Sequence, residues 1–167
     1  MNITQSRLTY MNKSERVAPV VLDDVSKAII TQLQSDGRRP YGLIGKAVGL
    51  SEAAVRQRVA KLLEQGVVQI AAITNPLQVG FTRQAMLGIK IEGDVETVAE
   101  AIATIEAIDY VVITAGSYDL LAEVVCEDDE QLLDIVNNVI RRIPGVKSTE
   151  TFMYLKLKKQ TYTWGTR

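Results

Sequence analysis

Between Ser51 and Leu63 the sequence places polar and basic side chains on one side of a helical repeat. Four apolar positions fall within about 100° of one another on a 3.6-residue turn, which predicts a buried stripe: Val55, Val59, Leu62 and Leu63. The other side carries Ala53, Gln57, Ala60, Lys61 and Glu64, flanked by Arg56 and Arg58. Arginine and glutamine make paired hydrogen bonds with base edges, and small alanines permit close approach. This face indicates binding of duplex DNA, although taken alone such residues more often form a solvated helix surface.

The composition removes the usual means of catalysis. The chain has no histidine and a single cysteine, Cys126, so the commonest general base and the commonest zinc ligand are missing. The run 128–130 is explained by the acidic first turn of a helix rather than by a cation site. The run 42–46 is too short, and is followed by alanine instead of serine or threonine, for a phosphate-binding loop. We therefore expect no catalytic residue, no metal and no cofactor.

Charge is distributed unevenly along the chain. Residues 1–70 contain 10 basic and 6 acidic side chains, whereas residues 71–167 contain 9 and 14, so the halves carry +4 and −5. The basic half is the one with the Arg-Gln-Lys face, which favours an anionic partner there.

Three helices precede residue 70. The first opens at Leu22-Asp23-Asp24 and ends at Gly37, and the second begins near Pro40. Gly49-Leu50 makes a turn, Ser51 caps the third helix, and Gly66 ends it. The spacing predicts further core positions: Val25, Ile29, Ile30, Leu33, Leu43, Ile44, Ala47 and Val48. This is a helix-turn-helix pattern, and residues 67–70 are typical of a short strand, the wing of a winged helix.

Beyond a connector at residues 71–82, strands and helices alternate as βαββαβ. The predicted elements are strand 85–91, helix 95–108, strand 110–114, strand 120–125, helix 130–143 and strand 146–158. In the last helix the predicted inward residues are Leu132, Leu133, Val136, Val139, Ile140 and Ile143. This order is the ferredoxin-like arrangement, with helices on one face of an antiparallel sheet. A second copy is expected to cover the other face, with Met86, Met153 and Tyr154 contributing.

These residues resemble the leucine-responsive regulatory protein/AsnC family of transcription regulators. The matching motifs, in order, are LDD at Leu22–Asp24, LQSDGR at Leu33–Arg38, GLS at Gly49–Ser51 with RVxxL at Arg58–Leu62, GSYD at Gly116–Asp119 and PGVKSTET at Pro144–Thr151. They extend over roughly Leu22 to Lys159. One departure is Gly42, Ile44 and Gly45 in the second helix, where the family usually has a polar residue and a Leu-Ala pair; a glycine within a helix costs about 1 kcal/mol relative to alanine.

The resemblance implies an α+β chain, with an N-terminal winged helix-turn-helix followed by a ferredoxin-like effector and dimerisation domain. It also implies double-stranded DNA as partner, and dimers that assemble into tetramers or octamers. A small effector, an amino acid or related metabolite, is expected between subunits. The implied DNA-binding residues are Ser51, Glu52, Ala53, Arg56, Gln57, Arg58 and Lys61, with Arg58 and Lys61 on phosphates or Arg58 buttressing the fold. The implied effector-binding residues are Gly116, Ser117, Tyr118, Asp119, Phe152, Met153 and Tyr154. Among them Asp119 is expected to meet an amino group, and the backbone beside Gly116 a carboxylate.

Two other functions fit parts of this pattern. Some proteins resembling the family are enzymes that decarboxylate a tetrapyrrole using histidines, and the absence of histidine argues against that reading. An effector-binding protein that has lost DNA binding is the other alternative.

The predicted organisation is an N-terminal arm at 1–20, the winged helix-turn-helix at 21–70, the connector at 71–82, the ferredoxin-like domain at 83–160 and a tail at 161–167. The arm lacks the apolar core of a secretory signal, and no apolar run approaches the length of a membrane span. The lone cysteine is typical of a reducing compartment, so we expect a cytoplasmic protein.

Overall fold

The computed structural model describes residues 20–162 and 165–166. The predicted N-terminal arm lies outside the described residues, except for Val20. The chain divides into two compact units. The first comprises the residues up to Ile73 together with those from Gln160 onward, and the second spans Thr74–Lys159. In the described part of the chain, no helix is both long and apolar enough to cross a membrane.

The first unit contains three helices, α1 (Asp24–Ser35), α2 (Tyr41–Val48) and α3 (Glu52–Glu64). Asp23 caps α1 by accepting a 2.7 Å hydrogen bond from the Ser26 amide, and Ser51 caps α3 by accepting one of 3.2 Å from the Ala54 amide. The helices enclose a small apolar core made of Ile29, Leu33, Ile44, Val55 and Val59. The predicted helix-turn-helix is therefore confirmed.

The turn between α2 and α3 depends on two glycines. Gly49 ends α2 with φ +74°, a backbone conformation that residues with a side chain rarely adopt. An added Cβ at Gly45 would lie 2.5 Å from the carbonyl oxygen of Leu50, whose amide donates a 2.9 Å hydrogen bond to the Gly45 carbonyl. Gly45 thus lets the turn pack directly on α2, which offsets its low helical propensity.

The predicted wing strand at residues 67–70 is wrong. The amides of Val67 and Val68 donate to the Leu62 carbonyl at 2.9 and 3.2 Å, so they close the end of α3 instead of joining a sheet. Three predicted core positions of this unit are also wrong, since the structure leaves them exposed: Leu43, Ala47 and Leu63. They lie at the edges of the apolar stripes, where no described element of the unit covers them.

The second unit has the predicted βαββαβ order: β1 (Arg83–Ile91), α4 (Val95–Ala103), β2 (Ile108–Ile113), β3 (Leu120–Cys126), α5 (Asp129–Asp134) and β4 (Val146–Met153). The sheet order is β2-β3-β1-β4, and every neighbouring pair is antiparallel. One face packs against the helices through a continuous core, including Leu87, Ile89, Ile102, Leu120 and Ile140. A short 3₁₀ turn, Pro76–Gln78, precedes β1. The ferredoxin-like prediction is confirmed.

Helix α5 differs most from its prediction. It continues as a π-helical segment, Ile135–Val139, and a 3₁₀ turn, Ile140–Arg142. A π turn holds an extra residue and so rotates the residues after it. Ile135 is buried, whereas Leu133, before this segment, and Val139, at its end, are exposed although both were predicted to face inward.

Two other boundaries differ. Helix α4 ends at Ala103 rather than 108, because 3₁₀-type bonds from Thr104 and Ile105 turn the chain back toward β2. Strand β4 ends at Met153 rather than 158, where its pairing with β1 stops.

Candidate DNA-binding helix and sheet surface

The polar face of α3 lies at the surface of the first unit. Of the predicted DNA-binding residues, six are exposed: Ser51, Glu52, Ala53, Arg56, Gln57 and Lys61. Arg58 is half-buried. Ser51 also caps the helix, so its side-chain oxygen is engaged within the protein. The helix thus presents arginine, glutamine and lysine beside small alanines, and these side-chain types are able to contact base edges in a major groove.

Arg58 holds α3 against α1. Its Nη1 donates to Asp23 Oδ2 at 2.7 Å and to Ser26 Oγ at 3.2 Å. Hydrogen bonds from Ser26, followed by the hydrogen bond and charge of Arg58, lower the pKa of Asp23 to about 2. Of the two roles left open by the sequence, the geometry supports the buttressing one.

Arg56 is held on the surface by two neighbours. Its Nη2 lies 2.8 Å from Glu52 Oε1, and its Cζ lies 5.3 Å from the centre of the Tyr41 ring. An exposed ion pair contributes at most about 1 kcal/mol, and an exposed cation–π contact about 0.5–1 kcal/mol. The net gain is small, because Gly42 in the adjoining helix α2 lowers the stability of that helix by about 1 kcal/mol relative to alanine. The sequence pattern alone did not indicate that Tyr41, on α2, belongs to this cluster.

In the second unit, the turn between β2 and β3 contains the predicted effector residues Gly116–Asp119. Asp119 closes this turn, since its Oδ2 accepts a 2.7 Å hydrogen bond from the Ile91 amide at the end of β1. Thr114 Oγ1 donates to the Tyr118 carbonyl at 2.7 Å. Asp119 is the residue whose carboxylate was expected to meet a ligand amine. One oxygen of that carboxylate is therefore already hydrogen-bonded to the backbone. Gly116 is exposed, and in the part of the chain that the structure describes an added Cβ there would meet no atom within 4 Å.

Tyr118 lies across the sheet face that the helices leave uncovered. An added Cβ at Gly88 of β1 would lie 2.8 Å from the Tyr118 ring, so the ring packs directly on the strand backbone. Phe152 of β4 meets the same ring edge to face, with centroids 5.9 Å apart. A glycine inside an apolar strand is a signal of such close approach, so the position of Gly88 within β1 could have indicated this contact from the sequence.

The remaining predicted effector residues divide between two faces. In β4, Phe152 pairs with Met86 on the uncovered face, while Met153 pairs with Ala85 and points to the opposite face. Tyr154 follows the strand, and its amide donates to the Gln84 carbonyl at 2.9 Å. Burial, together with the charge of Glu123, raises the pKa of Tyr154 to about 12. Gln84 Nε2 also donates to Glu123 at 3.1 Å. The sheet face therefore combines an aromatic pair with a partly buried polar cluster.

Comparisons with known proteins agree with this architecture. Residues 22–63 match the model of the AsnC-type helix-turn-helix domain, and residues 81–167 match that of a C-terminal dimeric alpha+beta barrel domain of AsnC-type regulators. The chain belongs to the Lrp/AsnC family. As a member of that family it is a helix-turn-helix transcriptional regulator with a dimeric C-terminal domain, as the resemblance of its motifs predicted.

Several relatives of this Lrp/AsnC protein are similar over most of its length. The HTH-type transcriptional regulator FL11 of Pyrococcus abyssi is 37% identical over 144 residues, which is 85% of this chain and 95% of the relative. An uncharacterised HTH-type transcriptional regulator of Pyrococcus furiosus is 34% identical over 85% of this chain and 97% of its own length. These relatives are named as transcriptional regulators.

Solved structures share the fold. E. coli AsnC superposes with a TM-score of 0.77 at 23% identity, over 86% of this chain and 98% of AsnC. A transcriptional regulator from Neisseria meningitidis, solved as a complex with L-Met, superposes with a TM-score of 0.76 at 24% identity, over 84% of this chain and 94% of that protein.

Proposed function

We propose that this Lrp/AsnC protein binds specific DNA sequences through the exposed face of α3, and that an amino acid or related metabolite bound between its subunits changes that binding or the assembly of the protein. The observation that carries the proposal is the surface position of Arg56, Gln57 and Lys61 on a capped helix that is fixed in a helix-turn-helix core. Arginine and glutamine read base edges in the major groove, and lysine neutralises phosphate.

Dimerisation supports the same proposal, because a two-fold pair of recognition helices reads two half-sites about one helical turn apart. A dimer also multiplies the modest discrimination of a single helix, in which one paired side chain contributes about 1–3 kcal/mol. Assembly into tetramers or octamers is proposed on the resemblance of the motifs alone.

The effector part of the proposal is supported by the turn 116–119 and the aromatic pair beside it. The aromatic pair lies on the uncovered sheet face and the turn adjoins it, where a second subunit covering that face would enclose a ligand. The Neisseria relative, whose structure is a complex with L-Met, shows that a neighbour of this fold takes an amino acid. A ligand that favours one assembly shifts the equilibrium only by its differential affinity, typically about 1–3 kcal/mol.

Selection of duplexes from a random library tests the DNA-binding part. We expect wild-type protein to enrich a two-fold symmetric sequence, and Gln57→Ala to relax the preference at one position of each half-site. Lys61→Ala should weaken binding to all duplexes alike and reduce the slope of log affinity against log salt by about 1. Glu64→Gln is the matched control on the same helix. A folded wild-type dimer that enriches no sequence would refute the proposal.

Gly116→Ala tests the effector part. Because an added Cβ there meets no atom of the described residues within 4 Å, the variant should melt at the wild-type temperature without ligand. We expect a free amino acid that raises the melting temperature of wild-type protein to have a weaker effect on Gly116→Ala, since the methyl group would lie in the ligand's path. An equal response of both proteins would place the effector away from this turn.

A further inference from the structure

Four residues from two helices form a cluster at the leading end of the polar face of α3. Glu52 and Arg56 lie one turn apart on α3, whereas Tyr41 and Gly42 begin α2. The Arg56 guanidinium lies 2.8 Å from the Glu52 carboxylate and 5.3 Å above the Tyr41 ring. An added Cβ at Gly42 would lie 3.2 Å from the second oxygen of the same carboxylate. The space left by the glycine is thus the space that the Glu52 carboxylate uses.

Stability gives little reason for this cluster. The side chains of Arg56 and Glu52 are 65% and 57% exposed, so water and salt screen their attraction. Gly42 lowers the propensity of α2, which cancels much of what the exposed contacts gain. The cluster does fix the position of a long side chain, and an arginine that is already ordered loses less rotamer freedom when it binds.

We propose that Tyr41, Gly42 and Glu52 are positioning residues that hold Arg56 in advance in the geometry needed to read one base pair. Glu52 occupies one of the five N–H donors of the guanidinium, which leaves enough for the two acceptors of guanine. Neutralisation by Glu52 also makes Arg56 a poorer counter-ion for phosphates in general. The cluster therefore raises discrimination between bases rather than affinity for DNA as such. This inference rests on the proposed DNA-binding function.

The test uses the full-length protein and the duplex that wild-type selection yields. Affinities are measured for that duplex and for its single-base-pair variants, and Arg56→Ala identifies the base pair that Arg56 reads. At that pair we expect Tyr41→Leu and Glu52→Gln each to reduce the discrimination between the selected duplex and its single-base-pair variants about 3- to 10-fold. This reduction is smaller than the one that Arg56→Ala causes. Tyr41→Phe, which retains the ring, should restore it. Combined with Arg56→Ala, neither variant should reduce discrimination further.

Gly42→Ala separates positioning from stability. Among the described residues, the atom that the new methyl group would approach is the far end of the flexible Glu52 side chain, so the helix can accept alanine. We expect the melting temperature to stay level or rise while discrimination at the Arg56 base pair falls. Glu64→Gln, which removes a carboxylate elsewhere on the same face, is the control that leaves discrimination unchanged.

The outcomes are distinguishable. If wild-type protein selects no sequence, the proposed function itself fails. If Arg56→Ala alters the preference but Tyr41→Leu, Glu52→Gln and Gly42→Ala do not, the positioning role is wrong while DNA recognition stands. If the three variants instead weaken binding to all duplexes equally and change the salt slope, the cluster acts on phosphates and the inference is overturned.

Discussion

At the scale of single residues, neighbouring cations of α3 have different roles. Arg58 is joined to Asp23 and Ser26 of α1, whereas Lys61, one turn nearer the end of the helix, is exposed. Arg56 is held by Glu52 of the same helix and by the Tyr41 ring of α2. A helical wheel shows which side chains share a face, but it does not show the partners that other helices supply, such as Asp23 for Arg58 and Tyr41 for Arg56. The sequence therefore identified the candidate face and left the role of Arg58 open.

The link between Asp23 and Arg58 predicts a dependence of stability on pH. The folded-state pKa of Asp23 is about 2, below the ordinary value of 3.8. A depressed pKa stabilises the folded state above the unfolded-state value, and that contribution is lost as pH falls from about 4 to about 2. We expect Asp23→Asn to melt below wild type at neutral pH, and the difference to shrink across that range. Asparagine still caps a helix, so the change isolates the charge.

Melting curves of the full chain between pH 6 and pH 2 measure this effect. Asp24→Asn, which removes the adjacent carboxylate in the first turn of α1, is the matched control. A constant difference between Asp23→Asn and wild type at every pH would show that the link contributes nothing through its charge.

At the scale of elements, the turn between α2 and α3 depends on Gly45. The carbonyl of Leu50 lies where a Cβ would be, and backbone cannot move aside as the end of a side chain can. We expect Gly45→Ala to lower the free energy of unfolding by about 1–3 kcal/mol, as overpacking does in other interiors. Urea unfolding of the full chain measures it. Gly42→Ala is the paired control, because its close neighbour is flexible. Equal stability of the Gly45 variant and wild type would contradict the close packing.

The observed helices and strands also show which parts of the fold could be predicted from the sequence. Apolar spacing, caps and glycine stops identified three helices and the βαββαβ order, because those signals are local. The π segment of α5 was not predictable in this way. Its apolar residues fit an ordinary helix equally well, and only packing against the sheet buries Ile135 and exposes Leu133. The wrong prediction of a wing strand also has a non-local cause. Residues 67–70 have strand propensity but no partner strand among the described residues.

At the scale of the whole molecule, the two units divide charge as they divide function. The basic excess lies on the DNA-binding part, while the second half carries −5 and the dimeric domain. Because an acidic second half is repelled by the duplex, we expect DNA to contact the basic half of the chain. Beside its polar cluster, the uncovered sheet face of that half exposes large aromatic side chains, with Phe152 43% exposed and Tyr110 50% exposed. Apolar exposure of this kind is typical of a surface that another subunit covers.

We expect that face to form the dimer, so Phe152→Asp should dissociate it. The substitution places a charge among Met86, Tyr118 and the partner surface, where burying an unpaired carboxylate is costly. The dimer dissociation constant should rise at least about 10-fold. Thr151→Asp is the matched control, since residue 151 is exposed and lies on the opposite face of the same strand.

Sedimentation velocity over a range of concentrations measures the dissociation constant of each variant. Specific DNA affinity should fall together with dimerisation in Phe152→Asp, because a monomer offers one recognition helix to a two-part site. Binding to random duplexes should change less, since the basic face of each α3 is intact. Dimers of undiminished stability in Phe152→Asp, with dissociation caused instead by Thr151→Asp, would place the interface on the helical side of the sheet.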